Sequence, residues 1–261
     1  MEQEVLVLDG GPLSGPQVVA VARSKCSVDI GPVAIDLMQS AQDVVHAVAT
    51  SGKATYGINT GFGALSTTRI DHDKLKELQM NILRSHAAGV GEPLDEEIVR
   101  GMMVLLAASL CRGMSGSRPE VAQRLAEMLN KGVTPVVPSR GSVGASGDLA
   151  PLAHLALVLC GEGEAMYDEQ TMAGTDAMGE AGITPISPIE KEGLALINGT
   201  HMMASIASLA LADIAILCEA AVTSTAMAID AAKATDTFLD QRLHLARVQS
   251  GQQTVASTLR A

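Results

Sequence analysis

The sequence predicts a mainly α-helical protein with a loop-rich N-terminal region, and three observations carry that expectation. The 261 residues are 47% apolar but only 2% aromatic, with 13 Met and no Trp. Ala, Leu and Met suit helix-on-helix packing, whereas a β-sandwich needs β-branched and aromatic strands. Apolar residues also recur at helical spacing, as in Val121, Leu125, Met128 and Leu129. Finally, the stretch from Met202 to about Asp230 is apolar nearly all round, the pattern of a helix buried on every side. One small domain does not bury such a helix easily, so the expectation is a multi-helix bundle shared between chains.

The elements follow in order. Ser14 reads as the cap of a first helix, with Pro16 in its opening turn and Val18, Val19 and Val21 behind it. Pro32 to Val48 reads as a second helix with Ile35, Met38 and Val45 on its apolar side. Thr55 to Ser66 is glycine-rich and reads as a loop. A helix follows from Asp71, with Leu75, Leu78 and Ile82 at helical spacing, and His86 continues that face near the C-terminal end. Asp95 to Leu110 reads as a buried helix. Ser117 begins another, stopped by Gly132. Val136 to Arg140 should be extended around Pro138. Leu149 to Leu159 reads as a buried helix with Pro151 in its first turn, and residues 161–188 as a surface excursion. No internal repeat or low-complexity tail is evident. The expected boundary lies near Cys111–Gly116, giving a loop-rich part (1–112) and the start of a helical core (113–261).

Composition also excludes some functions. A net charge of −11 argues against nucleic acid and anionic membrane surfaces and reads as solubility. Cys26, Cys111, Cys160 and Cys218 form no CxxC pair and read as reduced thiols of a cytoplasmic protein, with Cys160 and Cys218 in the core. The six histidines show no HxxxH or Cys/His cluster, so no metal site is visible. Met-Glu-Gln-Glu-Val does not read as a signal peptide. The apolar run from Leu194 to Ala232 contains Asn198, His201, Asp213, Glu219 and Asp230, so it reads as a core helix rather than a membrane span.

The most informative segment is Gly141 to Leu149, centred on Ala145-Ser146-Gly147. Gly147 has no side chain, so its amide nitrogen can approach the Ala145 carbonyl carbon. Ring closure with loss of water gives a five-membered imidazolone, and loss of water from Ser146 leaves an exocyclic methylidene. No standard side chain is a good electrophile, so a protein that attacks an amine or an aromatic ring makes or borrows one. The apolar helix that follows would add unpaired N–H groups and a positive dipole end beside the ring. A serine-hydrolase elbow would need glycine where Asp148 stands. The glycine spacing does not match a dinucleotide fingerprint, and the Gly-Lys-Ser/Thr of a P-loop is absent.

The stretch GSVGASGDLAPLAHLALVLCGEGEA resembles the signature of the ammonia-lyases and aminomutases that use 4-methylidene-imidazol-5-one (MIO). Three further segments are similar to that family in the same order: Tyr56 to Gly63, Leu78 through Leu94, and Gly193 to Thr200. Ser85-His86-Ala87-Ala88-Gly89 is most similar to the histidine ammonia-lyase branch.

The resemblance implies an L-aspartase-like helical bundle, represented in part, with residues 1–112 as the active-site region. It implies MIO formed autocatalytically from Ala145, Ser146 and Gly147, with no metal or nucleotide. Tyr56 would be the base that takes the substrate's β-proton, its phenol lowered from a pKa near ~10. His86 would touch the substrate side chain, and Asn198 would lie beside the ring and the substrate amine or carboxylate. His154 and His201 read as structural; the family usually has glutamine where His201 stands.

The reaction implied is L-histidine to urocanate and ammonia. Alternatives are a phenylalanine or tyrosine ammonia-lyase, an aminomutase, or a non-catalytic helical oligomer subunit that keeps the motifs. Family members are roughly twice as long and tetrameric, and their further half supplies an arginine for the substrate carboxylate. The chain is therefore expected to be the N-terminal half of such an enzyme: truncated, split and completed by a partner chain, or a shortened form. Arg84 and Arg140 are the candidates for the carboxylate within it.

Overall fold

The computed structural model describes residues 5–51, 54–55, 57–60, 70 and 72–261. They divide into two compact units, Met1–Leu209 and Ala210–Ala261.

The first unit opens with a parallel pair, β1 (Val5–Leu8) and β2 (Ser27–Ile30), with Val5 opposite Ser27 and Leu8 opposite Ile30. The crossover between them is α1 (Gly15–Arg23). Ser14 caps it as expected, and the Gln17 side-chain oxygen accepts from the Ser14 N–H at 2.9 Å and its hydroxyl at 2.8 Å. The two strands were not legible: Val5-Leu6-Val7-Leu8 has no polar alternation and is too short to show a period.

Three longer helices follow: α2 (Pro32–Thr50), α3 (His72–His86) and α4 (Glu96–Cys111). α4 is the centre of the unit, with Val99, Met102, Met103, Leu106 and Leu110 all buried, and it packs against α1, α2 and α5 (Pro119–Lys131). Pro119 occupies the first turn of α5, so Arg118 rather than Ser117 is its cap, and the helix ends at Gly132 with φ +76°.

Arg100 on α4 is 1% exposed yet satisfied. Its Nε and Nη2 donate to the Val21 carbonyl at 3.2 and 3.0 Å, and Nη1 to that of Leu129 at 3.1 Å. Both carbonyls lie near the C-terminal ends of α1 and α5, where helix dipoles present negative charge.

β3 (Val90–Pro93), between α3 and α4, pairs antiparallel with β5 (Pro138–Arg140), which follows α5, with Val90 opposite Arg140. β4 (Thr134–Pro135) joins the hairpin of β6 (Glu164–Tyr167) and β7 (Gln170–Ala173). Then come α6 (Leu149–Leu159), α7 (Gly174–Glu180) and α8 (Glu192–Ile197). Residues 161–188 are therefore more than a surface excursion: Ala165, Ala177, Met178, Ile183 and Ile186 enter the core. Their spacing among Gly, Thr and Asp concealed them. The same core continues across 112/113, where the sequence places a boundary.

α9 (His201–Ala231) corrects a further expectation. Met202, Ser205 and Leu209 are buried, but Leu211, Ile214, Ile216 and Leu217 are 53–67% exposed, and Cys218 is exposed rather than a core thiol. A helix of 31 residues runs roughly 46 Å and outreaches any core one small unit offers. By length and composition alone, Glu192–Ala231 meets the test for crossing a membrane, with a mean hydropathy of 1.9 in its most apolar window. In the second unit, α10 (Gln241–Arg247) and α11 (Ser250–Arg260) pack together with Leu239 and Ala256 buried. Asp240 caps α10 through the Arg242 N–H at 2.9 Å.

Glu192 opens α8 with 0% exposure and accepts four hydrogen bonds: the Arg118 N–H at 3.0 Å, Nε at 2.9 Å and Nη2 at 2.9 Å, and the Ile189 N–H at 2.9 Å. Glu192→Leu strips a half-buried arginine and two amides of their acceptor. The expected loss is about 3–5 kcal/mol, read from the urea midpoint. A loss under about 1 kcal/mol would show that the pair behaves like an exposed one.

Candidate active site

Residues 145–147 lie on a tight 3-10 turn spanning Gly144–Ser146, closed by the Gly147 N–H on the Gly144 carbonyl at 2.8 Å. Gly147 has φ +110°, in the region that only glycine adopts readily. A Cβ there would also meet the Leu149 side chain at 3.2 Å and the Gly199 carbonyl oxygen at 3.3 Å. Gly147 and Asp148 are buried, whereas Ser146 is exposed. α6 begins at Leu149, so the turn stands at a helix N-terminus.

Asp148 holds this loop in place, and sequence reasoning missed its role. Its side chain is fully buried. Oδ1 accepts the Ser142 hydroxyl at 2.6 Å, and Oδ2 accepts the N–H groups of Met202 at 2.8 Å and Met203 at 3.1 Å. Its own N–H donates to the Gly199 carbonyl at 2.7 Å. Asp148 precedes α6, yet its carboxylate caps α9, more than fifty residues on. Local capping patterns do not reveal so remote a partner. Only its position between a glycine loop and an apolar helix was a signal.

Asn198 follows α8 in extended conformation, with φ −101°, ψ 104° and an exposed side chain. It does not cap α9; the Ala204 N–H goes to the Thr200 carbonyl at 3.0 Å. The Asp148–Gly199 bond therefore ties the segment carrying Asn198 to the turn carrying Ser146.

His86 ends α3, half-buried, with Nδ1 2.8 Å from the Ile82 carbonyl and 3.1 Å from the Ser85 hydroxyl. A carbonyl only accepts, so Nδ1 carries the hydrogen and Nε2 of the neutral ring offers a lone pair. Just past His86, the Gly89 N–H donates to His154 Nε2 on α6 at 3.1 Å. A Cβ on Gly141 would come within 3.4 Å of Gly89 Cα, and β3 and β5 pair next door. His154 thus holds Gly89, and burial pushes its pKa down, which keeps its acceptor lone pair. α3 also packs on α8: the Gly193 N–H reaches Gln79 Oε1 at 2.9 Å, and a Cβ there would lie 2.7 Å from the Gln79 carbonyl.

Tyr56 lies outside the described residues. Its neighbour Gly57, at φ +75°, comes so near α8 that a Cβ would meet Leu194 Cδ2 at 2.8 Å. The structure thus links the segments bearing His86, Ser146 and Asn198, and brings the residue after Tyr56 against the same helix. Arg84 is engaged by Glu162 at 3.0 and 2.5 Å, which raises the arginine's pKa. Arg140 is exposed on β5. Among the described residues no cluster of His, Cys, Asp and Glu could hold a metal.

Residues 13–261 match the family of aromatic amino acid lyases, and the chain belongs to that family. It is 46% identical over 257 residues to the histidine ammonia-lyase of Koribacter versatilis (strain Ellin345), an alignment covering 98% of this chain and 50% of that one. The structure of histidine ammonia-lyase from Trypanosoma cruzi superposes with a TM-score of 0.92 at 36% identity, covering 98% and 50% of the two chains. Tyrosine aminomutase from Streptomyces globisporus superposes with a TM-score of 0.91 at 34% identity, covering 98% and 48%. The fold is accordingly part of the L-aspartase-like helical bundle, and the chain spans about half the length of the curated relatives it matches.

Asp148→Ala removes a buried acceptor from one hydroxyl and two amides. The expected cost is about 2–3 kcal/mol in chemical unfolding, with the largest gain in amide exchange at Met202 and Met203. Unchanged exchange there would show that the carboxylate does not hold α9.

Proposed function

We propose that this chain is the electrophile-forming half of a cytoplasmic, MIO-dependent ammonia-lyase that converts L-histidine to urocanate and ammonia. The observation that carries the reading is the fastened turn at 144–148. It holds Gly147 where only glycine fits, leaves Ser146 exposed to lose its hydroxyl, and sits at the start of α6. These residues fit the group. The Gly147 nitrogen bonds to the Ala145 carbonyl carbon with loss of one water, and a second water leaves from Cα and Cβ of Ser146.

Once formed, MIO would supply an electrophilic carbon for an electron-rich centre of the substrate. The N–H groups at the start of α6 favour negative charge arriving there. His86 Nε2 accepts the N–H of the substrate imidazole, while Nδ1 stays committed to Ile82. Tyr56 takes the β-proton, and Asn198 lies beside the amine or carboxylate. Arg84 is held by Glu162, so the carboxylate clamp comes from a partner chain or from the part of the relatives' length not spanned here. The exposed face of α9 suits a homotetramer or such a partner, because an uncovered apolar patch of that size would aggregate.

A second reading is an aminomutase on the same site, favoured by the closeness of the Streptomyces globisporus structure. A β-amino acid product rather than urocanate would select it.

Two outcomes are expected. The purified chain should be lighter than its sequence mass by two waters, and Ser146→Ala should prevent formation of the methylidene. Full mass with an unmodified Ser146 in the peptide map would overturn the ring. In an assembly complete for catalysis, His86→Leu should reduce turnover of histidine about 100-fold more than that of phenylalanine or tyrosine, because an imidazole needs a polar partner and a carbocyclic ring does not. Equal losses would make His86 structural.

A further inference from the structure

His201 opens α9, and the structure sets its ring against Gly199, which touches the turn that carries residues 145–147. Its ring packs on Gly199 so closely that a Cβ there would fall 2.2 Å from His201 Cε1 and 2.6 Å from Nδ1. Gly199 in turn accepts the Asp148 N–H at 2.7 Å, and its carbonyl oxygen lies 3.3 Å from where a Gly147 Cβ would stand. Ring, Gly199 and the 147–148 backbone thus form three successive layers. Nδ1 of His201 is buried and finds no hydrogen-bond partner among the described residues.

We propose that His201 is a positioning residue for the electrophile loop: its neutral ring props Gly199 against Asp148, and its protonation loosens that contact. Both nitrogens of a protonated ring are donors, so the charge would leave Nδ1–H buried without an acceptor. The ring also opens α9, where the helix dipole disfavours positive charge. Among the described residues, Asp148, from the loop before α6, is the carboxylate whose field on the ring is evident, and it favours the charge. Both its oxygens are already committed to Ser142, Met202 and Met203, so a charged ring would draw it from the contacts that hold the loop. Other titratable groups on the neighbouring elements include His154 on α6, held by Gly89; Glu192 on α8, held by Arg118; Glu96, Glu97 and Arg100 on α4, which the Ser205 hydroxyl ties to α9; and, further along α9, Asp213, Glu219 and Asp230. Burial pushes the His201 pKa down from 6.5. The unfolded ring protonates near 6.5 and the folded ring only lower, so the loop's stability is full above about pH 6.5 and decreases as pH falls below it.

The inference rests on the reading of 145–147 as the electrophile loop, but its test does not require the ring. Amide exchange at Asp148, corrected for intrinsic rates, is followed in the full chain from pH 7.5 to 5.5. Protection should fall several-fold, up to about tenfold, in the wild type and in His154→Gln, and should stay flat in His201→Gln, whose neutral amide cannot take the proton. Flat protection in the wild type, or an equal fall in His201→Gln, would overturn the proposal. Should His201→Gln not fold, the wild type and His154→Gln still decide it: loss of the pH dependence in His154→Gln would assign it to His154 instead. A chain of full mass that shows the expected exchange would sink the functional reading while supporting the role of His201. A dehydrated chain with flat exchange would do the reverse.

Discussion

The Asp148 carboxylate is the interaction on which the site depends. One buried anion accepts from Ser142 at the start of the loop and from Met202 and Met203 at the start of α9, while its backbone donates to Gly199. A carboxylate at a helix N-terminus gains both hydrogen bonds and dipole, and burial sharpens both because water does not compete. The consequence is geometric. The turn at 144–147 and the segment Asn198–Gly199 are distant in sequence, yet they share one anchor. The turn therefore cannot drift from the segment that carries Asn198 without breaking this anchor.

A second layer of constraint comes from close backbone approach. Gly57 against Leu194, Gly193 against Gln79, Gly141 against Ala150 and Gly199 against His201 are each positions where a Cβ would meet a neighbour at 3.0 Å or less. Small residues let α3, α6 and α8 come together with little side-chain padding, which draws their ends into one place. Low aromatic content is part of the same design: bulky rings would hold these helices apart. The site is therefore a product of how tightly helices pack, and not only of which polar residues it contains.

Much of this was legible in the sequence, and the remainder has identifiable physical causes. α6 spans the expected Leu149–Leu159, and α2 and α4 match within two residues, because their apolar spacing and flanking proline or acidic residues are local signals. The tripeptide stood out because glycine on either side of a small-residue run is itself a local pattern. The β1–β2 pair escaped because four-residue strands are too short to show a period, and Val5-Leu6-Val7-Leu8 is apolar even where it is exposed. Asp148 escaped because its partners are more than fifty residues away, and the buried face of 161–188 because its apolar residues are scattered. α9 misled in the opposite direction. Its all-round apolar surface is real, but this chain buries it only in the first turns, at Met202, Ser205 and Leu209.

Three of the buried charged residues described in the first unit, Arg100, Asp148 and Glu192, answer a common problem. Arg100 lies at the C-terminal ends of α1 and α5, Asp148 at the N-terminal end of α9, and Glu192 at the N-terminal ends of α5 and α8. Each has the sign that the local helix dipoles favour. Helices faced with Ala, Leu and Met are smooth, and apolar contact alone resists separation better than it resists sliding. A charge that must meet particular amides or carbonyls fixes the register of one helix against another, since a shift of one residue leaves it buried without partners. Apolar area thus supplies cohesion, whereas these ties supply position. Position is what a site assembled from the ends of α3, α6 and α8 requires.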